Sequence, residues 1–312
     1  MIARDLYYFL KPAIPRWLQI EVRRRWILMK KAGCEKIWPI DESAGKKPDN
    51  WPGWPEGRKF ALVLTHDVET PKGLTRIRKM MELEQRLGFR SSFKFVAEDY
   101  RTPPELFRHI TASGFEIGLH GLTHSGNLFR TLPEFRKSAV RINQFLKEWG
   151  AVGFRAPSIY HNLEWTHMLN ITYDSSTFDT DPFEPQPDGV KTIFPLWVNG
   201  SSQNTGYVEL PYTLPQDFTL FVLMRESIDV WKRKLRWIAE KGGMALVITH
   251  PDYMNFGEHE VRKDEYPMQN YENFLKHIED EYKGQYWHAL PRDAARYVKQ
   301  LMTTPPVERA AT

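Results

Sequence analysis

One cysteine, Cys34, is all that the 312 residues contain. That excludes an intramolecular disulfide and any zinc cluster built on thiolates. No stretch approaches the roughly 18 uninterrupted apolar residues of a membrane-spanning helix, and the mean hydropathy is −0.53. Internal repeats and low-complexity tracts are lacking as well. Disorder is excluded for most of the chain, because 41% hydrophobic and 13% aromatic residues suffice for a sizeable core. What is left reads as a soluble, disulfide-free protein suited to a reducing compartment. The expected location is cytoplasmic.

Positive charge is scarce outside one segment. The chain carries a net +4. Residues 1–31 hold eight Lys/Arg (Arg4, Lys11, Arg16, Arg23, Arg24, Arg25, Lys30, Lys31) against Asp5 and Glu21, a net +6, which leaves −2 for the other 281 residues. A body of that charge lacks the clustered positive face that phosphate binding needs, so no nucleic-acid partner is expected. Charges interrupt every apolar run in the segment and no small-residue cleavage site follows, so it does not read as a secretory signal. Pro12 and Pro15 split it into two short amphipathic helices. Two readings stand for it. One is a helix packed on the body with a solvated basic face. The other is a peripheral contact with the inner membrane face, burying Trp17, Leu18, Ile20, Trp26 and Ile27 while the arginines meet anionic lipid.

Beyond a Pro- and Gly-rich linker from Asp41 to Lys59, whose Trp51, Gly53 and Trp54 predict an ordered cap, the pattern changes. FALVLTHDV (60–68) predicts a buried strand and PKGLTRIRKMMELEQRLG (71–88) a helix stopped by Gly88. Strands SSFKFV, FEIGLH, VGFRAP (152–157), ITYDSS (171–176), MALVITH (244–250) and YWHAL alternate with helices around 103–113, at 132–149, near 162–169, at 225–241, near 266–281 and from Pro291. Short strands at TIFPLWV and YVELPY interrupt the rhythm within 182–215. Near-continuous apolar strands separated by helices mean a parallel sheet covered on both faces. The expected fold is α/β, a distorted (β/α)7-type barrel of mostly parallel strands with an N-terminal helical extension. The expected division is 1–56 for the basic extension and linker and 57–312 for the barrel.

Functional side chains of such a barrel sit at the C-terminal ends of its strands. Those ends read Thr65-His66-Asp67-Val68-Glu69, His120-Gly121-Leu122-Thr123-His124, Arg155-Ala156-Pro157-Ser158 and Thr249-His250-Pro251-Asp252-Tyr253. Residues two apart share a face, so Asp67 and Glu69 can look into one site while His66 and Val68 look away. A turn would bring His120 and His124 to one point. Two neutral imidazoles and one carboxylate make a three-ligand set with open positions, the arrangement of a hydrolytic zinc site. Zinc is the first expectation, with cobalt, manganese and nickel as alternatives. The other carboxylate is then free to act as a base.

The ordered set THDVE (65–69), HGLTH (120–124), RAPS (155–158) and VITH (247–250) resembles the motifs of the polysaccharide deacetylases, carbohydrate esterase family 4, over roughly residues 57–300. The basic N-terminal segment and the WPGWP turn (51–55) look like those of a bacterial subgroup. By this resemblance Asp67 is the base, Glu69, His120 and His124 hold the metal, and His250 protonates the leaving amine. Arg155 orients Asp67 or holds the sugar. Tyr160, Trp197 and Tyr253, with Phe183 and Tyr212, are expected to stack on sugar rings. There are departures, among them a long stretch from Arg155 to His250 consistent with an insertion around 182–215. Val68 stands where a second aspartate is usual, so either Asp67 or Glu69 could be the ligand, and Gly121 replaces Ser or Thr. The aspartate that tunes the acid histidine has four candidates, Asp174, Asp179, Asp181 and Asp217.

The implied activity is metal-dependent removal of N-acetyl groups from an amino-sugar glycan or its precursor in envelope or capsule metabolism. Hydrolysis of another amide C–N bond would use the same residues. A glycan-binding homologue without turnover is the non-enzymatic alternative, against which the presence of His120, His124, Arg155 and His250 argues.

Overall fold

The computed structural model describes residues 15–200 and 205–303. A nine-stranded sheet, parallel except at one edge, curls into a distorted barrel. Its organising strand is β1 (Phe60–Val68), all nine residues of which are buried. β8 (Met244–Thr249) pairs with one edge of β1. The other edge is shared, by β11 (Tyr286–His288) along Phe60–Leu62 and by β2 (Ser92–Phe95) along Thr65–Val68. From β2 the sheet continues through β3 (Glu116–Leu119), β4 (Gly153–Phe154), β5 (Tyr173–Asp174) and β7 (Gly206–Glu209) to the antiparallel edge strand β6 (Leu196–Asn199). The chain beyond β7 bends back to β8, where the N–H groups of Thr213 and Leu214 donate to the Leu246 carbonyl and draw the barrel together. The expected fold is the one observed.

Covered on both faces and both edges, β1 has no reason to carry polar residues except at its end. Odd-numbered Ala61 and Val63 pack among the residues lining one face, while Phe60, Leu62 and Leu64 pack under the helices. The same alternation puts Thr65 and Asp67 on the inner face near the rim. Helices return each strand to the next. α2 (Pro71–Arg86) opens at Thr70, whose hydroxyl accepts from Lys72 N, with Pro71 pre-set for the first turn. α3 (Pro104–Ala112) follows β2, and α4 (Leu132–Trp149) runs from a Thr131 cap to Gly150 in the left-handed conformation.

Several expected elements are shorter than the sequence suggests. The strands expected at 152–157 and 171–176 narrow to β4 and β5, and the helix near 162–169 to one turn, α5 (Leu163–Thr166). The helix expected at 225–241 starts only at Asp229, as α6 (Asp229–Lys241), because Arg225 has φ 58° and cannot continue a right-handed helix. Before it lies a π-helix, Phe218–Leu223, that periodicity did not announce. α7 (Gln269–Tyr282) and α8 (Pro291–Thr303) complete the fold, and β9 (Met254–Asn255) pairs with β10 (Tyr266–Pro267) beside the rim.

The segment before β1 is ordered. Trp51 contacts the rings of Trp54, Phe194 and Tyr297 at 4.9, 5.4 and 6.5 Å, and Trp54 Nε1 donates to the Gly242 carbonyl at 2.8 Å. It therefore caps the barrel near the start of β1 and β8. Of the two expected N-terminal helices, the first lies outside the described residues. The second is α1 (Arg16–Lys31). Ile20 and Ile27, expected to enter a membrane in one reading, are instead buried in the protein's own core. Arg24 fixes the orientation, donating from Nη2 to the Val222 carbonyl at 2.9 Å and from Nε to that of Leu223 at 3.2 Å.

Candidate active site

Asp67 ends β1 almost without solvent contact and accepts from Arg155 Nη1 at 2.8 Å. Arg155 follows β4 and is fully buried. Its Nη1 also reaches Thr65 Oγ1 at 3.0 Å, and its Nε the Ser175 carbonyl at 2.8 Å. Of its two expected roles, orienting Asp67 fits this burial and holding a sugar does not. Burial opposes the charge on Asp67, but Arg155, His120 and His250 outweigh it and hold the carboxyl at about 2. Removing one partner of such a buried pair costs roughly 3–5 kcal/mol.

Glu69, His120 and His124 meet at the rim, with one ligand atom from each lying within 4.8 Å of the others. His120 is buried, and its Nδ1 lies 3.1 Å from the Arg155 carbonyl. A carbonyl only accepts, so Nδ1 must carry the proton and Nε2 keeps its lone pair for the cage. Burial lowers the His120 pKa to about 4, with Asp67 pulling the other way and His124 adding to the fall. It is neutral at pH 7, as a metal ligand must be. The turn that carries His124 is pinned by its own N–H, which donates to Asp99 Oδ2 at 2.6 Å. Gly121 makes that turn possible: its φ is +71°, and a Cβ there would come within 2.7 Å of Pro157. The departure from Ser or Thr at this position therefore spares both histidines.

His124 Nε2 is 3.1 Å from Glu69 Oε1, and the Tyr253 hydroxyl donates to Glu69 Oε2. Burial disfavours charge on Glu69, yet His124, His250 and the Tyr253 hydrogen bond hold it well below the usual carboxylate range. Two imidazoles and a carboxylate converging at one point suit a divalent metal in donor type and number.

His250 follows β8. Its Nδ1 lies 2.6 Å from Asp217 Oδ1, and its backbone N–H donates to Asp217 Oδ2 at 2.7 Å. Tyr266 donates to the same carboxylate at 2.7 Å. Burial alone would discharge the ring, but Asp217, Glu69 and Asp67 raise its pKa to about 10. Asp217 is thus the partner among the four sequence candidates, placed by the cap of the π-helix. The other three are engaged elsewhere: Asp174 with Ser176, Asp179 with Lys234 at 2.7 Å, and Asp181 with Tyr212 at 3.0 Å.

Asp252 was given no role from sequence. It is buried, and its carboxylate accepts from Glu69 N at 3.0 Å, Gly73 N at 3.2 Å and the Thr70 hydroxyl. Arg76 Nη1 in turn donates to the Pro251 and Asp252 carbonyls, each at 3.1 Å. The loop after β8 is thereby clamped to the loop after β1, which fixes Glu69 relative to His250. Its position two residues after the late histidine was the only sign in the sequence.

Of the expected ring-stacking residues, Tyr253 lies at the cage, its ring 4.4 Å from Phe218 and 5.4 Å from His250. Tyr160 is buried beyond the RAPS turn. Trp197 is drawn into the β6–β7 hairpin, where it packs against the core cluster of Tyr173 and Val208, and none of the cage contacts described above involves it. Phe183 and Tyr212 are core, the first against Trp38 at 5.4 Å and the second bonded to Glu184. His66 faces away as expected, bonded to Glu84 at 2.8 Å and Thr249 at 2.6 Å.

No protein-family profile matches the chain, and no curated protein matches it. Solved structures do. A Mycobacterium smegmatis protein described as a polysaccharide deacetylase superposes with a TM-score of 0.61 at 20% identity, covering 81% of this chain and 94% of its own. A Pseudomonas aeruginosa PAO1 protein described likewise gives 0.62 at 18%, covering 85% and 99%. The Puue allantoinase gives 0.64 at 15%, covering 86% and 99%. At such identities the likeness is one of fold, and it extends over nearly the whole of each relative.

Proposed function

We propose that the chain is a metal-dependent hydrolase that removes N-acetyl groups from an amino-sugar glycan or its precursor in bacterial envelope or capsule polysaccharide metabolism. One observation carries the reading: an ionised Asp67 and a proton-loaded His250 border the same Glu69–His120–His124 cage. Amide hydrolysis needs both, a group to take a proton from the attacking water and one to give a proton to the departing nitrogen. Asp67 is the acceptor, with Arg155 holding its carboxylate in place. At about 2 its basicity is low, so the acidity of the water must be raised by something else. A divalent cation held by Glu69, His120 and His124, zinc or else cobalt, manganese or nickel, supplies that acidity when bound, by bringing the pKa of water down to about 7. His250 keeps its proton through Asp217 and delivers it from Nε2, because an amide does not expel an unprotonated amine. Tyr253 borders the cage and is available to a sugar ring.

The fold shared with proteins described as polysaccharide deacetylases supports an acetylated sugar as substrate. The likeness to Puue allantoinase supports a second reading, in which the same residues hydrolyse a small non-sugar amide. The proposed location is cytoplasmic. Acetate release from N-acetylglucosamine oligomers, set beside ammonia or amine release from small amides, separates the two. A purified protein that takes up no stoichiometric divalent metal at neutral pH would refute both and leave a glycan-binding protein.

A further inference from the structure

Once α1 is seated on the body, its other side packs against nothing among the described residues. Leu18, Val22, Trp26 and Met29, spaced i, i+4, i+8 and i+11, form one stripe that is 37%, 56%, 44% and 74% exposed. Trp17 and Leu28 flank it at 58% and 47%. Six of the eleven exposed large hydrophobic side chains among the described residues therefore lie on this single helix. Scattered exposed apolar residues need no explanation, but a contiguous stripe does. The helix is thus apolar on two sides, and its own core accounts for only one of them.

Charge decides what covers the second side. Arg25, paired with Glu21 at 3.2 Å, is exposed beside the stripe, the Lys30 ammonium, which donates to the Pro182 carbonyl, lies 4.8 Å over the Trp26 ring, and Lys36 is exposed just beyond the helix. The segment 1–31 carries a net +6, whereas the remainder of the chain carries −2. A second copy would bring the same cations against one another, and its body has no strong acidic surplus to offer. Tryptophans and leucines bordered by Arg and Lys are the composition of a helix lying in a lipid headgroup layer. We infer that the outer face of α1 is a binding surface for an anionic membrane.

The placement gives this surface a use, whatever bond the site cleaves. α1 packs on the π-helix Phe218–Leu223 and on the loop at 182, both of which follow the C-terminal ends of barrel strands. Asp217, the cap of that π-helix, holds His250. Arg23 of α1 lies 5.6 Å over the Phe218 ring, and Phe218 lies against Tyr253 at the cage. The membrane-facing helix thus belongs to the same end of the barrel as the site, so membrane contact brings the site to substrates held at the bilayer surface.

Co-sedimentation of the full chain with vesicles tests this directly. Binding to vesicles of phosphatidylcholine with phosphatidylglycerol is expected to exceed binding to phosphatidylcholine alone by about tenfold or more at low salt, and to fall as salt is raised. Val22→Asp with Trp26→Asp, both at exposed positions, should abolish binding while leaving the melting temperature and any hydrolytic activity unchanged. Arg25→Glu with Lys36→Glu should weaken it selectively for the anionic vesicles. Equal binding to both vesicle types, or wild-type binding by the double aspartate variant, would overturn the inference. So would a concentration-dependent dimer in light scattering that the same variant abolishes, since the stripe would then be covered by a second copy.

Discussion

Replacing Asp252 by Ala should loosen the cage without touching any residue that borders substrate. The carboxylate satisfies two backbone N–H groups, Glu69 at 3.0 Å and Gly73 at 3.2 Å, in a buried setting. A buried donor left without a partner costs about 1–3 kcal/mol, so two give on the order of 3 kcal/mol. A melting temperature lower by roughly 4–5 °C follows for a chain of 312 residues. Stability alone would be an ordinary result. The discriminating readout is metal affinity, measured by competition with a chromophoric chelator: losing a contact that orients a ligand typically costs about 10–100-fold. Gly73→Ala attacks the same contact from the other side, because its Cβ would lie within 2.7 Å of Asp252 Cγ and displace the carboxylate. Thr131→Ala is the control. It loses the cap of α4, about 1 kcal/mol, but touches no atom of the Asp252 clamp, so its metal affinity should match wild type. If Asp252→Ala melts early yet binds metal as tightly as Thr131→Ala does, the clamp does not position Glu69 and the reasoning fails.

Glu69→Ala should remove metal occupancy, while Asp67→Asn should keep the metal and lose turnover; the reverse pattern in metal analysis and acetate release would exchange their roles. Asp217→Asn should reduce turnover by about 10²–10⁴-fold with metal content unchanged, because His250 loses the charge that keeps its proton in place. Glu184 offers a pH test of stability. Burial, and the charge of nearby Asp181, raise its pKa to about 7 from the ordinary 4.5. A carboxyl raised on folding favours the native state while protonated in both states, and that contribution is lost as pH climbs from 4.5 through 7. Glu184→Gln should therefore melt like wild type near pH 4.5 and gain at most about 3 kcal/mol on it above pH 7.5. Equal melting temperatures at high pH would show that Glu184 is not strained by its burial.

Much of the site was legible because strand alternation is a rigid rule. Asp67 and Glu69 had to share a face, and the histidines four apart needed only a turn, which Gly121 supplies. Asp217 could not be singled out among the four candidate aspartates. It precedes His250 by 33 residues and sits at the cap of a π-helix, a form without the 3.6-residue signal that periodicity detects. The short strands β4 and β5 were over-extended because an apolar run continues beyond the last ladder bond, and burial does not require pairing. The setting of Trp197 was not legible either: an aromatic residue in a Pro- and Gly-rich stretch gives no sign of the hairpin that half-buries it. The two sides of α1 could not be told apart in sequence, since Ile27 and Trp26 are adjacent and only the docked body decides which turns inward.

The seam between β1 and β8 has a bearing on how the protein is made. It joins Ala61 to Met244 and His66 to Thr249, partners some 183 residues apart along the chain. Asp67 and Glu69 emerge early in synthesis, whereas His250 and the loop that steadies Glu69 come much later. Contacts that distant are slow to form, because the intervening chain must be gathered first. On the proposed roles, a nascent chain released before residue 250 would own the proton acceptor and all three cage residues but no proton donor, and so would be inert until its final fifth has folded.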